Sequence, residues 1–114
     1  MELKMENGRY VPAQQGRLEQ VEGVEELRQR ILMKLTARRG GFSAMPEYGS
    51  RLYLLGRVRP SERESVAAQY VTEALSDEPG LRLKALHLRE EPDGAVLDMQ
   101  FSAGDETLSV QTAV

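Results

Sequence analysis

Two glutamates stand where the turn residues of this chain gather. Glu47 lies in the run Pro46-Glu47-Tyr48-Gly49-Ser50, and Glu78 comes just before Pro79-Gly80. Loop carboxylates suit general acid–base chemistry, and a glycoside hydrolase needs two of them at a set separation with one pKa raised. Sequence does not fix that separation. The chain carries 18 acidic residues in 114, so two on loops are expected from composition alone. Other chemistries find less to work with. Ser43, Ser50 and Ser61 have only His87 as a base, and no Gly-x-Ser-x-Gly elbow surrounds any of them. There is no Gly-x-x-x-x-Gly-Lys-Ser/Thr loop to cradle a phosphate, and Gly40-Gly41 alone reads as a helix stop. With no cysteine and one histidine, neither a disulfide framework nor the usual zinc ligand sets can form. No catalytic residue, cofactor site or metal site is expected, and the chain reads as non-enzymatic.

Arginine is the other concentrated side chain. Arg38, Arg39, Arg51, Arg57, Arg59 and Arg63 crowd the middle of the sequence. Clustered arginine can neutralise phosphates. It is also favoured at protein interfaces, where it makes bidentate pairs, and it serves equally as a solvated rim. The net charge of −3 gives no general pull on nucleic acid. Phe42, Tyr48 and Tyr53 alternate with Pro and Gly rather than forming a stacking platform. Nucleic acid is therefore not an expected partner. Apolar runs are only a few residues long and the N-terminus lacks a signal-peptide core, so no membrane span and a soluble cytosolic chain are expected.

The elements that must position these residues follow from periodicity. A length of 114 residues suggests one domain. Asn7-Gly8 between Leu3, Met5 and Tyr10 predicts a short hairpin, which Pro12 ends, and residues 13–20 read as a polar connection. Val24, Leu27, Ile31, Leu32 and Leu35 predict a helix over about Val24–Arg38, with Glu22, Glu25 and Glu26 at its start and Gly40-Gly41 as its stop. Ser61 and Glu64 have capping-box spacing, so a second helix is predicted from Ser61 to about Ser76, burying Val66, Ala67, Tyr70, Val71, Ala74 and Leu75. Three strands follow, with turns at Pro92-Asp93-Gly94 and Ala103-Gly104-Asp105. The apolar phase slips near Ala85, which implies a bulge or burial on both faces. The expected fold is α+β: an N-terminal β-hairpin and two helices packed on one face of an antiparallel sheet completed by a C-terminal three-strand meander. Phe42, Met45, Tyr48, Leu52, Tyr53, Leu54 and Leu55 are much apolar surface for one connection. Some of it must pack on the helices, and a partner could cover the rest.

The run LRQRILMKLTARRG, followed by PEYGSRLYLL, a capped helix and a β-rich end, resembles the small baseplate wedge proteins of contractile phage tails, the baseplate protein W family. That family carries Leu-Thr-x-x-Gly-Glu and Pro-Glu-Phe/Tyr-Gly-Ser-x-Leu. Leu35, Thr36 and Gly40 match the first, with Gly41 departing from it; Pro46, Glu47, Tyr48, Gly49, Ser50 and Leu52 match the second. The family's Glu-Pro-Arg motif is met by Glu78 and Pro79, but Gly80 holds the third place and the next arginine is Arg82. The resemblance implies a structural protein of the virion tail baseplate, assembled in the bacterial cytoplasm into a six-fold particle. The implied partners are other wedge proteins, the tail sheath protein and the tail tube. The family's lysozyme-like label is not an activity expected here. A small carboxylate-dependent glycan hydrolase remains the first alternative reading, and a nucleic-acid-binding domain acting through the central arginines the second. The implied interaction residues are the turn Pro46, Glu47, Tyr48, Gly49, Ser50 and Arg51, the junction Glu78, Pro79 and Arg82, and Leu108 and Val110 on the last strand. That strand, Glu106 to Val114, could add a partner's strand at its edge, with Thr107, Ser109 and Gln111 keeping the edge soluble. The N-terminal hairpin offers a second edge.

Overall fold

The computed structural model describes the backbone of residues 5–6, 9–10 and 15–114, with side chains from residue 23 onward. The hairpin is present as β1 (Met5–Glu6) and β2 (Arg9–Tyr10), pairing Met5 with Tyr10 and Glu6 with Arg9. It forms a two-stranded sheet of its own and does not join the main sheet, which corrects the expectation of one completed sheet. Its Asn7-Gly8 turn and Pro12 lie outside the described residues.

The first helix, α1, runs Gln15–Thr36. It takes in most of what reads from sequence as a polar connection, so Glu25 and Glu26 lie well inside the helix rather than at its start. Gln15, Arg17, Leu18, Glu19 and Gln20 are all competent helix formers, and polarity alone does not make a loop. The expected stripe is borne out over the described side chains: Ile31 and Leu35 are buried, and Val24, Leu27 and Leu32 pack against the same core. Leu52–Arg57 then forms a 3-10 helix that buries Leu52 and Leu55, and Pro60–Glu62 forms a shorter one. The second helix, α2, spans Arg63–Ala74 and buries Ala67, Val71 and Ala74.

The expected capping box does not form. Helix α2 begins two residues after Ser61, and no side chain caps it. Glu64 reaches across to the sheet instead, where its carboxylate accepts the Leu88 N–H at 3.1 Å and lies 3.1 Å from His87 Nδ1. His87 is an exposed strand residue.

The sheet is the expected meander: β3 (Leu81–Glu91), β4 (Gly94–Ala103) and β5 (Glu106–Ala113), antiparallel in the order β3-β4-β5. Leu97, Met99, Phe101, Leu108 and Val110 point into the core under the helices. The phase slip in β3 is a bulge, with the register shifting between Leu83 and Ala85. Lys84 is the extra residue. It lets Leu81 and Leu83 before the bulge, and Leu86 and Leu88 after it, face the same core. Deleting Lys84 restores simple alternation, so that variant is expected to fold cooperatively within about 2 kcal/mol of the parent. Phe101→Ala, which empties a fully buried position, is expected to lose about 3–5 kcal/mol in chemical denaturation.

Candidate interaction site

The turn Pro46–Ser50 is built from the end of α1. Tyr48 N–H donates to Met45 O at 3.1 Å, closing a turn in which Pro46 supplies its fixed φ. The Tyr48 ring meets Phe42 edge to face, with centroids 5.8 Å apart. Beyond the turn the chain comes against the helix terminus. Ser50 N–H donates to Ala37 O at 2.9 Å, and Arg39 N–H donates to Ser50 O at 2.9 Å. The buried Ser50 hydroxyl donates to Leu35 O at 2.7 Å and accepts the Leu52 N–H at 3.3 Å. Two of the carbonyls that a helix end leaves unpaired are satisfied by this single residue.

Gly49 makes the approach possible. Its φ is +102°, and a Cβ there would lie 2.7 Å from Ala37 O and 2.8 Å from Arg38 C. The helix thus ends at Thr36, before the expected Arg38, because Ala37 to Arg39 is drawn into this bridge. Gly40, at φ +83°, serves the turn after the bridge and not the helix terminus itself.

Glu78 clasps the same helix from the other side. It sits between α2 and β3, with its side chain 7% exposed. Its carboxylate accepts two bonds from Arg30, each 3.1 Å, and one from Lys34 Nζ at 2.7 Å. Lys34 also reaches Asp77 at 2.9 Å. The hydrogen bonds from Arg30, joined by those from Lys34, outweigh burial and hold the Glu78 carboxyl below its ordinary range. Burial works against the Lys34 ammonium, yet its bonds to Glu78 and Asp77 together raise its pKa. The partners of Glu78 are therefore helix residues that the sequence does not single out. Arg82 is exposed and makes no ion pair among the described residues, and Pro79 is exposed beside it.

The remaining expected residues divide cleanly. Arg51 pairs with Glu73 of α2 at 3.1 Å, and Arg39 approaches the same carboxylate at 3.9 Å. Arg38 lies over the Tyr53 ring, 4.1 Å from its centroid. Glu47 and Pro46 are exposed. Leu108 and Val110 are core residues, so only the backbone of β5 faces its free edge there. Phe42, Met45 and Tyr53 are left 51%, 52% and 49% exposed, while Leu52 and Leu55 from the same stretch are buried. Among the described residues no group of three or more His, Asp or Glu is placed to hold a metal ion.

The chain matches no protein-family profile and no curated protein. It does share a fold with a crystal structure from Geobacter sulfurreducens described as a "putative tail lysozyme". The TM-score is 0.63 at 20% identity, over 81% of this chain and 91% of that one. At this identity the likeness is one of fold.

Two outcomes follow. Gly49→Ala is expected to cost on the order of 2–4 kcal/mol in chemical denaturation, from a strained φ and a backbone collision together. Glu78→Gln is expected to cost about 1–3 kcal/mol at pH 7. Because the folded pKa of Glu78 is depressed, its contribution is present above the unfolded value, near 4.5, and is lost as pH falls through the folded value. The stability gap between the parent and Glu78→Gln should therefore shrink on acidification below about pH 4.5.

Proposed function

We propose that this chain is a structural component of a contractile tail baseplate, joining wedge proteins near the tube and starting the sheath by strand addition. The carrying observation is the sheet. β5 is an edge strand in a fold shared with the protein described as a "putative tail lysozyme". In the β4–β5 ladder Val114 N–H bonds Ala95 O, so by alternation Thr107, Ser109, Gln111 and Ala113 turn their backbone groups outward. Arg28 of α1 already occupies one of these, bonding Ser109 O at 3.3 Å, and the rest form a template for a partner strand. The side chains of Thr107, Ser109 and Gln111 are exposed, which keeps that edge polar.

A second contact surface is the segment from Phe42 to Tyr53. Its half-exposed Phe, Met and Tyr, with Arg38 over the Tyr53 ring, have the residue types that dominate protein interfaces. Other wedge proteins are the partners this surface would meet. The hydrolase reading gains nothing from Glu78. A general acid needs a raised pKa, and this carboxylate is depressed and fully engaged.

Removing Leu108–Val114 would open the core, so a proline scan of the edge is the cleaner test. Thr107→Pro and Ser109→Pro remove outward N–H donors while edge strands tolerate proline. Both variants should remain folded by circular dichroism and abolish sheath growth in reconstitution with the cognate tail proteins. Full-length sheaths on the folded variants would refute the proposal.

A further inference from the structure

The opposite edge of the sheet has a feature that β5 lacks. Between α2 and the start of β3 lies a cleft of about 620 Å³, with Val71, Leu75, Leu81, Leu83 and Phe101 at its floor and Arg82 and Lys84 at its lip. A second hollow of about 510 Å³ shares Ala68, Leu83 and Lys84 with it and extends it to Leu86. The short side chains of Ser65, Ala68 and Thr72 on α2 leave the passage open. Glu64 ends it, since its carboxylate takes the outward N–H of Leu88.

That bond also fixes which backbone groups are free. Leu88 turns its N–H away from β4, so by alternation, and across the bulge, Leu86 and Leu83 do the same. The residues with outward backbone groups are thus the ones whose side chains face the core. A strand hydrogen-bonded to them would set every second side chain into the cleft and the intervening ones beside Arg82 and Lys84. Both cations are exposed and without an ion pair among the described residues. The floor is apolar and the lip is basic.

We infer that the β3 edge and the α2 cleft form a second docking site, taking an extended segment of a partner protein that alternates apolar and acidic residues. From Leu81 to Leu86 the site spans roughly 17 Å, about six residues of strand. Glu78 at the far end does not repel such a segment, because Arg30 and Lys34 already neutralise it. The inference rests on the reading of this chain as an assembly component but uses a different edge.

The probe is the capped peptide Glu-Val-Glu-Val-Glu-Val, titrated into the full chain and followed by backbone amide NMR. Saturable shifts are expected at residues 81–86 and on α2 around Ala68 and Thr72. The double charge reversal R82E/K84E, at exposed positions, should leave the fold intact and weaken binding by about tenfold or more. A Lys-Val repeat of the same length should not bind the parent. Absence of saturable shifts, shifts confined to Thr107–Ala113, or affinity unchanged by charge reversal each overturns the inference. Any of these leaves the β5 reading standing, because that is read by sheath growth. Loss of sheath growth in Ser109→Pro with peptide binding retained would separate the two edges.

Discussion

Ser50 sits where helix α1 must stop, and much of the molecule depends on how it stops it. Its hydroxyl and its backbone N–H take Leu35 O and Ala37 O, and its own carbonyl takes the Arg39 N–H. A helix end left unpaired in a buried position would cost free energy comparable to the lost hydrogen bonds. Here the partner comes from thirteen to fifteen residues further along the chain. The constraint reaches backward to Gly49, where only a residue without Cβ fits, and forward to Leu52 and Leu55, which enter the core as a 3-10 helix. The six residues Pro46 to Arg51 are thus a helix terminator first, and the surface they leave exposed is held in place by that bond set.

The Glu78 junction completes the grip. Lys34 lies in the last turn of α1 and Arg30 one turn before it, so the helix is held at its terminus by Ser50 and along its flank by Glu78. The carboxylate ties α1 to the point where α2 gives way to β3. Two segments far apart in sequence therefore fix one helix against the sheet. Charge that reads as surplus in the sequence is partly consumed inside the fold: Arg39 and Arg51 share Glu73, and Arg63 pairs with Glu90. What remains outward is Arg38 over Tyr53, the apolar side chains of Phe42 and Met45, and the exposed Arg57 and Arg59, which make no ion pair among the described residues.

Much of the fold is legible in the sequence. The meander, its turns, the slip at Ala85 and the buried stripes of both helices follow from periodicity, because burial on one face leaves a signal every second or every third to fourth residue. Three features are not legible. The start of α1 is polar, so no stripe marks it. Glu64 has the spacing of a cap but finds Leu88 and His87 more accessible than the helix terminus. Glu78 finds its partners on a helix more than forty residues away. The last two turn on tertiary contacts that local spacing cannot encode. In the candidate site, Gly49 and Ser50 are visible as residue types, but their role needs the distance to Ala37. Leu108 and Val110 are the reverse case: their alternation marks a buried face, and what remains for a partner on that strand is the backbone.

Native-state hydrogen exchange reads the Ser50 clasp directly. If Ser50 terminates α1 as described, the amides of Ser50 and Arg39 should exchange as slowly as those of Val71 and Phe101 in the core, opening only with global unfolding. Exchange of these two amides at the rate of an open loop, while the core stays protected, would contradict the account.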